Sequence, residues 1–262
     1  MSFADVNGQR LYYEDSGGDG PPVIFSHGFL MDHEMFAPQV AALAPEFRVI
    51  TWDERGFGET EFDGKPFTYW DSARDCLVLL DHLGIEQAVL AGMSQGGFLS
   101  MRAALLAPER VRALVLIDSQ PGAEEAEKIP VYRGMLDTWA IAGPNDALAE
   151  AVANIIIADP AHNPYWIAKW QKIWPQERIV EPARCLLERE DDLRPRLGEI
   201  TCPTLVIHGS HDGPIPIALA EQMAAALPGA DGVVVIEGAA HAANLTHPDQ
   251  VNPPLLSFLR NL

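Results

Sequence analysis

Two rhythms run along the chain. Short apolar runs bounded by Gly, Pro or Asp alternate with longer stretches in which apolar residues return every third or fourth position, the marks of buried strands and amphipathic helices. Phe3 to Glu14 alternates about Asn7-Gly8, which predicts two antiparallel strands joined by a tight hairpin. Val23-Ile24-Phe25-Ser26 follows Pro21-Pro22 as a buried strand and ends at His27-Gly28-Phe29-Leu30. A helix from about His33 to Leu43 comes next, then a strand from Arg48 to Trp52 that runs into Asp53-Glu54-Arg55-Gly56-Phe57-Gly58. Thr68 to Leu83 reads as a helix closed by Gly84; further strands cover Ala88 to Gly92 and Ala113 to Ile117, the second ending at Asp118. Strands alternating with helices predict a parallel sheet with helices on both faces.

The alternation stops after Asp118. Residues 120–197 read as helical segments without a convincing strand and hold four of the six tryptophans, Trp139, Trp166, Trp170 and Trp174. The last three recur every fourth residue, so on a helix they form one aromatic face, set either to pack the segment or to line a cleft. The sheet pattern resumes at Pro203-Thr204-Leu205-Val206-Ile207-His208-Gly209, followed by a helix from Ile217 to Leu227 and a strand from Gly232 to Ile236. Pro248 to Leu262 reads as a closing helix that Pro253-Pro254 should break or delay. The chain thus divides into a core of residues 1–119 and 198–262, with 120–197 inserted as a helical cap.

The pattern has one chemically loaded point. The apolar run Ala88-Val89-Leu90-Ala91 leads into Gly92-Met93-Ser94-Gln95-Gly96, and a helical stretch begins at once. Strand, sharp turn and helix are the setting of a nucleophile elbow, which lifts the serine oxygen clear of the sheet. The N–H of Gln95 then lies at a helix start, where partial positive charge favours an oxyanion. A plain small-residue turn would look the same, so the rest of the chain decides.

A serine hydroxyl needs a base within hydrogen-bond reach, and a histidine base needs a carboxylate behind it. In an open parallel sheet such groups belong on loops after the strands. Asp212 follows the Leu205–His208 strand and His241 the Gly232–Ile236 strand, giving the order Ser, Asp, His. Asp118 also ends a strand and is a second candidate for the acid. His247, before a proline and a helix, reads as a cap, and His211 as a solvated neighbour of Asp212. His27 reads as ordering its loop, and Asp53 with Arg55 as holding a turn. His208 and His211 lack a helical metal-binding frame, so no metal is expected.

Composition narrows the partners. Of 262 residues, 18 are Lys or Arg and 37 are Asp or Glu, a formal charge of −19. Such a chain repels phosphate backbones and anionic lipid, which argues against nucleic-acid and membrane-surface roles. No apolar run approaches the roughly 18 residues of a membrane span, and no secretory leader is read at the start. Cys76, Cys185 and Cys202 have no framework spacing and read as reduced core thiols of a cytoplasmic protein.

Together, His27-Gly28-Phe29, Asp53-x-Arg55-Gly56-x-Gly58, Gly92-x-Ser94-x-Gly96-Gly97, Gly209-x-x-Asp212 and Gly238-x-x-His241 resemble the α/β-hydrolases of the esterase, lactonase and haloperoxidase branch over nearly the whole chain. The resemblance implies a mostly parallel, eight-stranded sheet with a helical cap, and a triad of Ser94, Asp212 and His241. It implies an oxyanion hole from the N–H groups of Phe29 and Gln95, and no cofactor. The expected substrate is a small or medium carboxylic ester with an apolar part, contacted by Leu30, Trp139, Trp166 and Trp170. An enol-lactone of the 3-oxoadipate type and a carbon–carbon bond substrate use the same triad, although the basic residues of 120–197 are too scattered to suggest an anion site. A small-ligand receptor that keeps the triad is the reading from another class, and self-association is left open.

Overall fold

Eight strands form one sheet in a computed structural model that describes residues 2–173, 176–189 and 191–262. They are β1 (Ser2–Val6), β2 (Gln9–Asp15), β3 (Pro22–Ser26), β4 (Arg48–Trp52), β5 (Ala88–Met93), β6 (Val111–Ile117), β7 (Thr204–Gly209) and β8 (Ala230–Ile236). Their order across the sheet is β1-β2-β4-β3-β5-β6-β7-β8. β1 and β2 pair antiparallel through a turn in which Asn7 and Gly8 both have positive φ, as a two-residue hairpin requires. β2 pairs antiparallel with β4, and every later pairing is parallel.

Period-two alternation gives the sheet its two layers. Val89, Ala91 and Met93 of β5 and Ala113, Val115 and Ile117 of β6 enter one core cluster; Ala88, Leu90, Leu114 and Leu116 enter the other. The helices are α1 (Ala37–Leu43), α2 (Tyr69–His82), α3 (Gln95–Leu106), α4 (Ile129–Ala142), α5 (Asp146–Ile156), α6 (Asn163–Ile173), α7 (Val180–Leu187), α8 (Ile217–Ala226), α9 (Ala243–Thr246) and α10 (Pro248–Arg260). Thr68 caps α2 in a capping box with Asp71, each side chain accepting from the other's backbone N–H. Among the described residues, α4 to α7 all fall between β6 and β7, and no helix is long and apolar enough to cross a membrane.

One element runs against expectation. α10 continues through Pro253 and Pro254 instead of breaking there. Val251, Leu255 and Leu259 on its inner face are buried, and Asn252 is hydrogen-bonded to Pro38 and Gln39. A proline in a helix interior costs about 3 kcal/mol; anchorage on both sides of the pair offsets that cost.

Candidate active site

The elbow is built from close backbone contact. Ser94 ends β5 and opens α3 with φ 52° and ψ −113°, a strained conformation for a residue with a side chain. A Cβ at Gly92 would overlap the backbone of Gly96, and one at Gly96 would overlap the carbonyl of Ser26 on β3. Only glycine at both positions lets α3 start tight against the sheet. Gln95 is the first residue of α3, so its N–H has no carbonyl one turn earlier to pair with.

Three side chains from three strand-end loops meet beside this turn. His241 Nε2 lies 3.0 Å from Ser94 Oγ, and His241 Nδ1 lies 2.7 Å from Asp212 Oδ2. All three residues are buried. Asp212 Oδ1 also accepts from the Ile215 N–H at 2.8 Å, which fixes the plane of its carboxylate. Burial opposes charge on His241, but Asp212, with smaller contributions from Asp118 and Glu124, outweighs it and raises the imidazole above its ordinary value.

Asp118 does not join this line. Its Oδ1 accepts from the Gly209 N–H and its Oδ2 from the Ala243 N–H, at 2.8 and 3.0 Å. It therefore ties the end of β7 to the loop that carries His241. Burial, then the neighbouring Asp212, push its carboxyl up to about 8. Its φ of 47° is a left-handed conformation that aspartate tolerates better than most residues. His208 Nε2 hydrogen-bonds to the Ile215 carbonyl at 2.8 Å, and His211 is exposed.

The loop after β3 is held from beneath. The Glu54 N–H donates to His27 Nε2, so His27 carries its proton on Nδ1 and donates it to the Gly28 carbonyl at 2.8 Å. Burial pushes the His27 pKa down to about 4, which keeps the ring neutral. Asp53 Oδ1 accepts from both the N–H and Nδ1 of His33, and Arg55 is bidentate to Asp75 at 2.6 Å. The Gln95 side chain is clamped as well: Tyr69 Oη donates to its Oε1, and its Nε2 donates to Glu54 Oε2. Burial and the nearby Asp75 and Asp53 raise the Glu54 carboxyl well above its usual range. Tyr69 and Glu54 stand 26 and 41 residues from Gln95, too far for a sequence motif to record the part they play.

A cleft of about 710 Å³, open solvent at its mouth included, lies over Ser94 and His241. Phe29 and Leu30 line it from the loop after β3; Leu136, Val152, Ile155 and Ile156 line it from α4 and α5. Trp139, Trp166 and Trp170, expected from the sequence to contact substrate, are not among its lining residues. All three are at most 2% exposed and lie in the packed interior. Trp170 stacks edge-on against Trp139 and donates its Nε1–H to the Leu30 carbonyl at 2.7 Å. The cleft walls come from the aliphatic faces of α4 and α5, while α6 turns its indoles inward; Trp174 lies outside the described residues. Trp170→Phe should strand the Leu30 carbonyl, at a cost of about 1–3 kcal/mol. Thermal unfolding should then show a midpoint lower by several degrees, and an unchanged midpoint would show that the bond contributes nothing.

Known proteins place this architecture. Residues 21–248 match the model of the alpha/beta hydrolase fold family. A thermophilic esterase from Thermogutta terrifontis superposes with a TM-score of 0.87 at 30% identity, over 98% of this chain and 95% of that one. The dihydrolipoyllysine-residue acetyltransferase component of the acetoin cleaving system of Pseudomonas putida is 34% identical over 98% of this chain and 68% of its own. The 3-oxoadipate enol-lactonase 1 of Acinetobacter baylyi is 28% identical over 100% and 97%. With the family model matching residues 21–248, the chain belongs to the alpha/beta hydrolase fold family as a hydrolytic enzyme.

Proposed function

We propose that the protein is a serine hydrolase that cleaves carboxylic esters with an apolar part through an acyl-enzyme on Ser94. The observation that carries this reading is the unbroken hydrogen-bonded line from Ser94 Oγ through His241 to Asp212, at the floor of an apolar cleft. Ser94 Oγ attacks the ester carbonyl as His241 Nε2 takes its proton. Asp212 accepts from Nδ1–H and stabilises the imidazolium. The N–H groups of Phe29 and Gln95 receive the oxyanion. His241 returns the proton to the leaving alcohol, then takes one from a water that attacks the acyl carbon. Its second return of a proton frees Ser94 and leaves the acid.

The helical segment of α4 to α7 acts in this reading as a cap whose aliphatic walls choose the acyl or alcohol arm. A lactone is an ester closed on itself and passes through the same steps. The test is a screen of aryl, short-chain alkyl and lactone substrates, with a fluorophosphonate probe and peptide mapping beside it. Multiple turnover of an ester and probe labelling at Ser94 that silences it are expected. Stoichiometric binding without turnover would favour a receptor, and labelling at another serine would remove Ser94 from the mechanism.

A further inference from the structure

Among the described residues, one acidic side chain lines the cleft. Glu124 lines it together with Phe98, Tyr132, Ser94 and His241, and its side chain is 9% exposed. Among the described residues, no lysine or arginine lines the cleft. Behind the wall lies Arg189, its guanidinium 4.3 Å over the Phe98 ring. Arg189 Nε donates to the Gly122 carbonyl and Nη1 to the Leu186 carbonyl, at 3.0 and 2.9 Å. Among the described residues its Nη2 makes no hydrogen bond, and it stands 3.8 Å from Glu124 Oε2, which is beyond hydrogen-bond length. The cation is thus fixed in the wall by carbonyls and a ring, while Glu124, whose Oε1 accepts from the Glu125 N–H at 3.2 Å, is the member of the pair that lines the cleft.

An ionised carboxylate only accepts hydrogen bonds. In a low-dielectric wall its attraction for an O–H or N–H donor and its repulsion of an anion both exceed their values in water. The geometry points to Glu124 as a specificity determinant that accepts a hydrogen bond from a hydroxyl or ammonium group on one arm of the substrate and turns away a carboxylate there. The inference rests on the ester reading and narrows it to hydroxy- or amino-bearing esters with an apolar remainder.

Binding to the Ser94→Ala protein tests the inference without turnover. Calorimetry compares short esters that end in methyl, hydroxyl, ammonium or carboxylate, with the end group placed on the acyl arm or on the alcohol arm. The same set is measured with Ser94→Ala/Glu124→Gln. On one arm the hydroxyl or ammonium ester should bind at least tenfold more tightly than the methyl ester, and the carboxylate ester more weakly. Glu124→Gln should shrink both differences by about tenfold, and the kcat/KM ratios of the Ser94 protein should move in the same direction. Tightest binding of the carboxylate ester would make Arg189 the anchor and overturn the inference. So would the same ranking in both proteins, or no measurable binding by any ester. If the ranking holds but the Ser94 protein turns over none of the esters, the ester reading fails and the Glu124 assignment survives. Turnover with a ranking that Glu124→Gln leaves untouched has the opposite meaning.

Discussion

Ser94→Ala is expected to lower kcat on an aryl ester by roughly 10⁶-fold, the size seen when a triad nucleophile is removed. Alanine leaves His241 with no Oγ to deprotonate, so no acyl-enzyme forms. His241→Ala should cost about as much, and the double variant little more, because the two residues act as one unit. A residual rate roughly 10³–10⁴ above water should persist if the loop of Phe29 and the start of α3 still polarise the carbonyl. Steady-state rates of the three variants on one substrate check this. Effects that multiply in the double variant would mean that Ser94 and His241 act in separate steps. An active Ser94→Ala would refute the serine mechanism outright.

Asp212→Asn comes next in size, with an expected loss in kcat on the order of 10⁴-fold. Asparagine still fills the space and can accept from Ile215, but it no longer offers a charge to the imidazolium. It can also present N–H to His241 Nδ1 and select the wrong tautomer. The pH profile gives a second readout with a definite sign. The base must be neutral, so kcat/KM falls as pH drops through the His241 value, which lies above the usual imidazole range in the native protein. Removing the carboxylate destabilises the imidazolium, and the acid limb should move to lower pH. Asp118→Asn should behave otherwise, because its oxygens accept from Gly209 and Ala243 and not from His241. It should lower the melting temperature and reduce kcat by no more than about tenfold, the scale of about 1.4 kcal/mol. A collapse of kcat in Asp118→Asn with an unaffected Asp212→Asn would reverse the two assignments.

The hairpin at Asn7-Gly8 and the elbow at Ser94 were legible because each is written in consecutive residues. Asp212 and His241 were legible for a different reason: each follows an apolar strand, and a parallel sheet delivers the ends of its strands to one edge. What escaped the sequence depends on contacts between distant segments. Trp166 and Trp170 share a helical face whatever that face touches, so their spacing shows that it is buried and not what it is buried against. Glu124 stands in Glu124-Glu125, and two adjacent carboxylates carry no sign of which one lines a cleft. Pro253-Pro254 carry a strong local rule that lost to packing by Val251, Leu255 and Leu259.

The bond from the Trp170 indole to the Leu30 carbonyl has a consequence for how such a chain can diverge. Leu30 holds a left-handed φ of 62°, directly after Phe29, and the helical segment between β6 and β7 supplies the group that pins it. The inserted helices are therefore not an interchangeable module. Grafting a foreign set between Asp118 and Pro203 would bring new cleft walls and, at the same stroke, release the loop on which Phe29 sits. Changes of substrate preference by single replacements in α4 and α5 avoid that penalty, because Leu136, Val152 and Ile155 touch the cleft and leave the indole in place. Lineages that keep the tryptophan are thus steered toward altering preference one side chain at a time, and wholesale exchange of the segment requires a new partner for Leu30 to arise in the same event.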